Sequence, residues 1–208
     1  NLTALPAGES STLKVGDYVV AIGDPFGLGQ TATFGIVSAL GRSGLGIEGY
    51  EDFIQTDASI NPGNSGGALV DMNGRLVGIN AAILSRSGGN VGIGFAIPID
   101  MVKSVAQQLI ASGKVSRGEL GVAIQTLTPG LARAMDLKIS GGALVSQVQK
   151  DSAAAAAGLK EGDVITKLDN VPVADSAQLR NQIGEKKPGT EIRLTLLRAG
   201  KEREITAT

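Results

Sequence analysis

The chain has 208 residues, a formal net charge of −1, 30 glycines and six aromatic residues, and it contains no Cys, His or Trp. That excludes disulfides, a thiol nucleophile, the usual zinc site and an imidazole base within the chain, so no metal or cofactor is expected and any hydroxyl chemistry must borrow its base. Near-neutral charge without clustered cations argues against nucleic acid, and no apolar run reaches the roughly 20 residues of a membrane helix, which leaves at most peripheral membrane association.

The first residue is Asn1 and not Met, which reads as a processing or cloning boundary with sequence missing upstream. The first hundred residues carry 4 basic and 9 acidic side chains, the remainder 15 and 11, so the chain divides in kind. In chain order, apolar runs punctuated by glycine predict strands over 17–22, 31–40, 52–56, 67–70, 76–84 and 91–97, which suits a small barrel. Asp100 is expected to open a helix in which Met101/Val102, Val105/Ala106 and Leu109/Ile110 recur every four residues, closed by Gly113 as a left-handed cap.

Residues 1–112 are therefore assigned to one domain, 113–118 to a linker and 119–208 to a second domain of mixed α and β. Its expected strands are 120–126, 143–148, 164–168, 192–197 and 202–207, with a helix near 129–135. The alanine run at 153–157 is a good helix former. Asp175 is placed to cap a short amphipathic helix over 175–183, with Leu179 and Ile183 on one face.

The string Gly63-Asn64-Ser65-Gly66-Gly67 sets a lone hydroxyl between glycines just before the apolar strand Ala68-Leu69-Val70. Glycines on both sides let the backbone turn sharply, so that amides of Gly63 and Ser65 can converge on a developing oxyanion. The same string also suits a glycine-rich hairpin turn with a solvated serine.

Together with Gly23-Asp24-Pro25-Phe26-Gly27, Gly35-Ile36-Val37-Ser38-Ala39-Leu40-Gly41-Arg42, Ile54-Gln55-Thr56-Asp57-Ala58 and Gly92-Ile93-Gly94-Phe95-Ala96-Ile97-Pro98, this segment resembles the HtrA (Deg) family of trypsin-like serine proteases. The resemblance implies that the first domain is the second of two β-barrels, with Ser65 as nucleophile and the family's His and Asp upstream of Asn1. It further implies an oxyanion hole from the amides of Gly63, Asn64 and Ser65, an S1 pocket lined by Leu45, Ile60 and Leu84, and a sensor-loop arginine at Arg42. Ser59, six residues before Ser65, is not the acid of a pocket for Lys or Arg, which points to cleavage after small or aliphatic residues. Core packing for Leu45, Ile60 and Leu84, and a solvated face for Arg42, are the alternatives.

Residues 118–208 resemble a PDZ domain, through Glu119-Leu120-Gly121-Val122 and Ala157-Gly158-Leu159-Lys160-Glu161-Gly162-Asp163-Val164-Ile165. PDZ domains add a C-terminal peptide as a strand and hold its carboxylate on successive backbone amides. By resemblance those are the amides of Leu120, Gly121 and Val122, with Leu120, Val122, Leu179 and Ile183 around the apolar pocket. One of Leu179 and Ile183 is also expected to face the core. Glu119 departs from the glycine common at its position and sets a charge near the carboxylate, which Arg117 can offset.

The expected fold class is mainly β, a trypsin-like second β-barrel of six strands followed by an α+β PDZ domain. The resemblance implies a periplasmic, ATP-independent endopeptidase for unfolded or misfolded polypeptides, built on trimers and binding C-terminal peptides. Without a His, the chain alone is expected to be inactive. The alternative is a non-catalytic PDZ peptide-binding or chaperone scaffold.

Overall fold

A computed structural model of the chain describes residues 3–47, 49–84 and 88–208. It divides into two compact units, Asn1–Val115 and Ser116–Thr208, the break falling inside the stretch read as a linker.

In the first unit, β1 (Tyr18–Gly23), β2 (Thr31–Arg42), β3 (Phe53–Thr56), β4 (Ala68–Asp71), β5 (Leu76–Ile83) and β6 (Gly94–Pro98) close into a barrel in the order β1-β2-β3-β6-β5-β4. The expected six-stranded barrel is therefore present. Alternation along β1 exposes Tyr18 and buries Val19 and Ala21, because successive side chains on a strand point to opposite faces. Val19, Ala21, Val37, Ile54, Leu69 and Val77 meet in the barrel core. The pairing shifts register within β2–β3, β4–β5 and β5–β6, and such irregularities add the twist that lets short strands close on themselves.

The helix after the barrel, α1 (Ile99–Ser112), ends as expected at Gly113, whose φ is 68° and whose N–H donates to Leu109 O at 2.8 Å. Its start differs from the expectation. β6 runs directly into the helix, so Pro98 occupies the cap position and Asp100 lies in the first turn. The Asp100 carboxylate accepts instead from the Ser10 hydroxyl at 3.0 Å and the Ser11 N–H at 2.9 Å, tying down a short 3-10 turn at Ser10–Thr12. Burial opposes ionisation of Asp100, but those hydrogen bonds and Lys103 outweigh it and hold its carboxyl below the usual range. The expected apolar stripe is only partly used, since Leu109 and Ile110 are exposed.

The second unit contains β7 (Val122–Thr126), α2 (Pro129–Ala134), β8 (Ala143–Val148), α3 (Ala153–Ala156), β9 (Val164–Leu168), β10 (Val171–Pro172), α4 (Ser176–Gly184), β11 (Ile192–Arg198) and β12 (Lys201–Ala207). Its sheet runs β12-β11-β9-β8-β7, with β10 hydrogen-bonded to β9, so β7 is an edge strand. Each helix is capped by a side chain: Thr128 accepts from Leu131 N, Ser152 from Ala155 N and Asp175 from Gln178 N, the last at 2.7 Å. The core gathers Val145, Leu159, Ile165, Leu168, Leu194 and Leu196. Within it Asp163, fully buried, receives two hydrogen bonds from the Arg198 guanidinium at 2.7 Å and one from Lys160 N at 2.9 Å.

Candidate functional site

The turn bearing Ser65 is wedged between the end of β1 and the middle of β5. A Cβ on Gly67 would collide with the Ile22 carbonyl, and one on Gly23 would come within 2.7 Å of Asn64 Cα. Glycine at both positions is thus what lets the turn lie flush on β1. Carbonyl groups of Pro62 and Gly63 accept from Phe26 N at 2.8 Å and Asp24 N at 3.4 Å, which orients this part of the turn.

Ser65 is exposed and its Oγ donates to Ala81 O at 2.9 Å. A carbonyl accepts that hydrogen bond but cannot remove the proton near neutral pH, so the hydroxyl is positioned without being activated. Among the described residues, the N–H groups of Gly63 and Ser65 have no hydrogen-bond partner, whereas Asn64 N donates to Asn61 O at 2.9 Å. Of the three candidate oxyanion amides, two are therefore available in this conformation. The Asn64 side chain is buried, with Nδ2 on Ser59 O at 3.3 Å.

The candidate S1 residues lie at different depths. Ile60 is 1% exposed and belongs to the barrel core, Leu45 is half-buried and Leu84 is 54% exposed. Two features that the sequence did not signal hold their loops. Glu51, 6% exposed, accepts from Leu45 N and Ile47 N at 2.6 Å each, folding the glycine-rich segment around its carboxylate. Asn90 donates from Nδ2 to Ile60 O at 3.1 Å and from its N–H to Asn61 Oδ1 at 2.9 Å, tying the β5–β6 connection to the Ser65 turn. Neither residue carries a local pattern, and each meets its partners only through the fold. Burial raises the neighbouring Asp52 carboxyl above its ordinary range. Arg42, at the end of β2, is exposed and donates from Nε to Gln55 Oε1 at 2.7 Å, while residue 48 of its loop lies outside the described residues.

In the second unit, Leu120 O accepts from Ala154 N and Gly121 O from Gln149 N, both at 2.9 Å. Both carbonyls are thereby pinned, while the N–H groups of Leu120 and Gly121 have no partner among the described hydrogen bonds. Gly121 has φ 72°, and a Cβ there would strike the Ser152 side chain, so only glycine fits. Two N–H groups without a described partner thus stand at the start of the edge strand β7. Glu119 beside it is exposed. Leu120, Leu179 and Ile183 all belong to the core cluster, with Val122 packed against it. Leu179 is 1% exposed and Ile183 7%, so Ile183 lies nearer the surface. At the other end of β7, Thr126 and Ser176 hydroxyls meet at 3.0 Å, joining the strand to the start of α4.

Both units match known proteins. The family profile described as "PDZ domain" matches residues 118–208, and that described as "Trypsin-like peptidase domain" matches residues 1–79. The chain is 59% identical over 201 residues to periplasmic serine endoprotease DegP of Salmonella typhimurium, covering 97% of this chain and 42% of that protein. It is 55% identical over 207 residues to periplasmic pH-dependent serine endoprotease DegQ of Escherichia coli, covering all of this chain and 46% of that protein. The chain thus spans less than half the length of these relatives. A solved structure of HtrA-type protease AlgW with tripeptide aligns with a TM-score of 0.81 at 50% identity, over 100% of this chain and 69% of that one. With a trypsin-like region, a PDZ domain and this degree of identity, the chain belongs to the HtrA family of DegP/DegQ-like serine proteases.

Proposed function

We propose that this chain carries the nucleophile-bearing barrel and a PDZ domain of a periplasmic, ATP-independent serine endopeptidase that degrades unfolded or misfolded envelope proteins. The observation that carries the reading is the exposed Ser65 hydroxyl on a turn whose adjoining Gly63 and Ser65 amides have no hydrogen-bond partner among the described residues. Ser65 Oγ attacks the scissile carbonyl and those amides stabilise the oxyanion, with Asn64 joining them only if its N–H leaves Asn61 O. Removing the hydroxyl proton requires a base, and with no His in 208 residues the base and its orienting acid come from outside this sequence. Leu45, Ile60 and Leu84 line the S1 pocket, which takes small or aliphatic side chains, and Arg42 acts in the sensing loop. The PDZ edge strand β7 pairs with substrate C-termini, their carboxylate resting on the amides of Leu120, Gly121 and Val122, beside a pocket formed by Leu120, Val122, Leu179 and Ile183. The working assembly is a homo-oligomer built on trimers.

A second reading, a non-catalytic peptide-binding scaffold, is favoured by one observation: the groove's edge strand and its unpaired amides lie within this chain, while the base does not. The experiment that separates the two is digestion of an unfolded protein by the longer protein with and without Ser65→Ala. Loss of cleavage supports the protease. Cleavage at the unaltered rate contradicts it.

A further inference from the structure

Asn80 lies on β5, is 0% exposed, and meets the Ser65 turn with its backbone and the adjoining ends of β1 and β4 with its side chain. Its carbonyl accepts from Gly66 N at 2.8 Å and its N–H donates to Gly67 O at 2.9 Å, so it pairs with the two residues that follow the hydroxyl. The neighbouring residue, Ala81, accepts the hydroxyl itself.

The side chain does something different. The ladder between β1 and β4 has Ala21 opposite Leu69 as its last pair. One step further on lie Ile22 and Ala68, and Asn80 Nδ2 donates to both of their carbonyls at 3.1 Å. A single amide nitrogen thus joins the two strands that close the barrel, at the point where their own pairing stops and the turn begins. Ile22 is also the residue whose carbonyl touches Gly67, and the adjoining Gly23 abuts Asn64. The place of the Ile22 peptide therefore sets where Asn64 and Ser65 sit.

Asn80 Oδ1, by contrast, is buried without a partner. An unpaired buried acceptor costs stability, so the side chain is a poor choice for the core on energetic grounds alone. Its two donors are what no apolar residue offers, and an aspartate would set a third acceptor against two carbonyls.

We propose that Asn80 is the positioning residue of the Ser65 turn: its amide ties Ile22 to Ala68 and so fixes the hydroxyl and the Gly63 and Ser65 amides in register. This rests on the reading of Ser65 as the nucleophile, but its structural half can be tested separately. Amide hydrogen exchange is measured on the full chain for the parent sequence, Asn80→Leu and the isosteric Asn80→Asp. Both substitutions are expected to speed exchange at Gly66 and Gly67 at least tenfold, while Val37 in the barrel and Val145 in the second unit stay within twofold. Unchanged exchange at Gly66 and Gly67, equal acceleration at every amide, or an Asn80→Asp indistinguishable from the parent would each overturn it.

The catalytic half is read in the longer protein that contains the base. Asn80→Leu lowers kcat about 10–100-fold with KM within threefold, as expected when a reacting group is displaced by a fraction of an ångström to an ångström. A raised KM with unchanged kcat overturns the positioning role. If the unsubstituted longer protein shows no Ser65-dependent turnover, the protease reading fails, and the exchange data still decide whether Asn80 holds the turn.

Discussion

In the barrel, the Ser65 turn is seated by close backbone approach at Gly23 and Gly67 and by a buried amide with one unsatisfied oxygen. In the second unit, the candidate peptide site is the free edge of β7, and the unit's buried Asp163 is paired with Arg198 and Lys160 N. The first arrangement positions a hydroxyl against a carbonyl acceptor. The second presents backbone N–H groups without a partner among the described hydrogen bonds. A strand edge and such amides need nothing beyond their own fold, whereas a serine hydroxyl needs a base before it can attack, so under the proposed function the two units call for different tests.

Four substitutions or conditions sharpen this contrast. The largest effect is expected at Gly67→Val, which drives a branched side chain into the Ile22 carbonyl and should cost the barrel ~3 kcal/mol or more by denaturant unfolding followed on barrel amides. Signals from residues 116–208 should be unaffected, and their parallel loss would break the division into two independent materials. Arg198→Ala leaves the Asp163 carboxylate buried with a single backbone donor and should cost the second unit about 3 kcal/mol, measured in the same way.

Gly121→Val forces a β-branched residue to a left-handed φ against Ser152 and displaces the unpaired amides. Strain of that kind should weaken binding of a C-terminal peptide about tenfold by calorimetry, with amidated peptide binding poorly to either protein. The smallest effect concerns acid. The Arg193 N–H and then Lys186 hold the Asp169 carboxyl below its usual range. A depressed carboxyl adds stability that is present above the ordinary value near 4 and is lost as pH falls through the lowered one. Thermal midpoints of the second unit should therefore fall more steeply below about pH 4 in the parent chain than in Asp169→Asn.

The six-stranded barrel and the capped helix at Asp175 were legible because alternation, glycine punctuation and Asx caps are local signals, whereas the order of the strands in each sheet is long-range and was not. Asp100 was not, since its carboxylate leaves the helix for Ser10 and Ser11, ninety residues away in sequence. Ser65 stood out through the glycines around it, and Gly121 through the resemblance of Glu119-Leu120-Gly121-Val122 to a PDZ domain. Asn80, Asn90 and Glu51 carry no local pattern; they matter because strands distant in sequence bring Ile22, Ala68, Ile60 and Leu45 to them. Ile60 and Leu179 illustrate a further limit: each is a proposed pocket residue that is also buried in a core cluster, and the sequence pattern does not separate the two roles.

The most direct test of the account is to expose this chain, alone and then mixed with a separately expressed first β-barrel of an HtrA-family protease, to a fluorophosphonate probe and locate the adduct by mass spectrometry. The account predicts modification at Ser65 in the mixture and none in the chain alone, where the hydroxyl's partner among the described residues is the Ala81 carbonyl. An unlabelled Ser65 in a mixture whose reconstituted fold has been verified would contradict it, as would equal labelling in both samples.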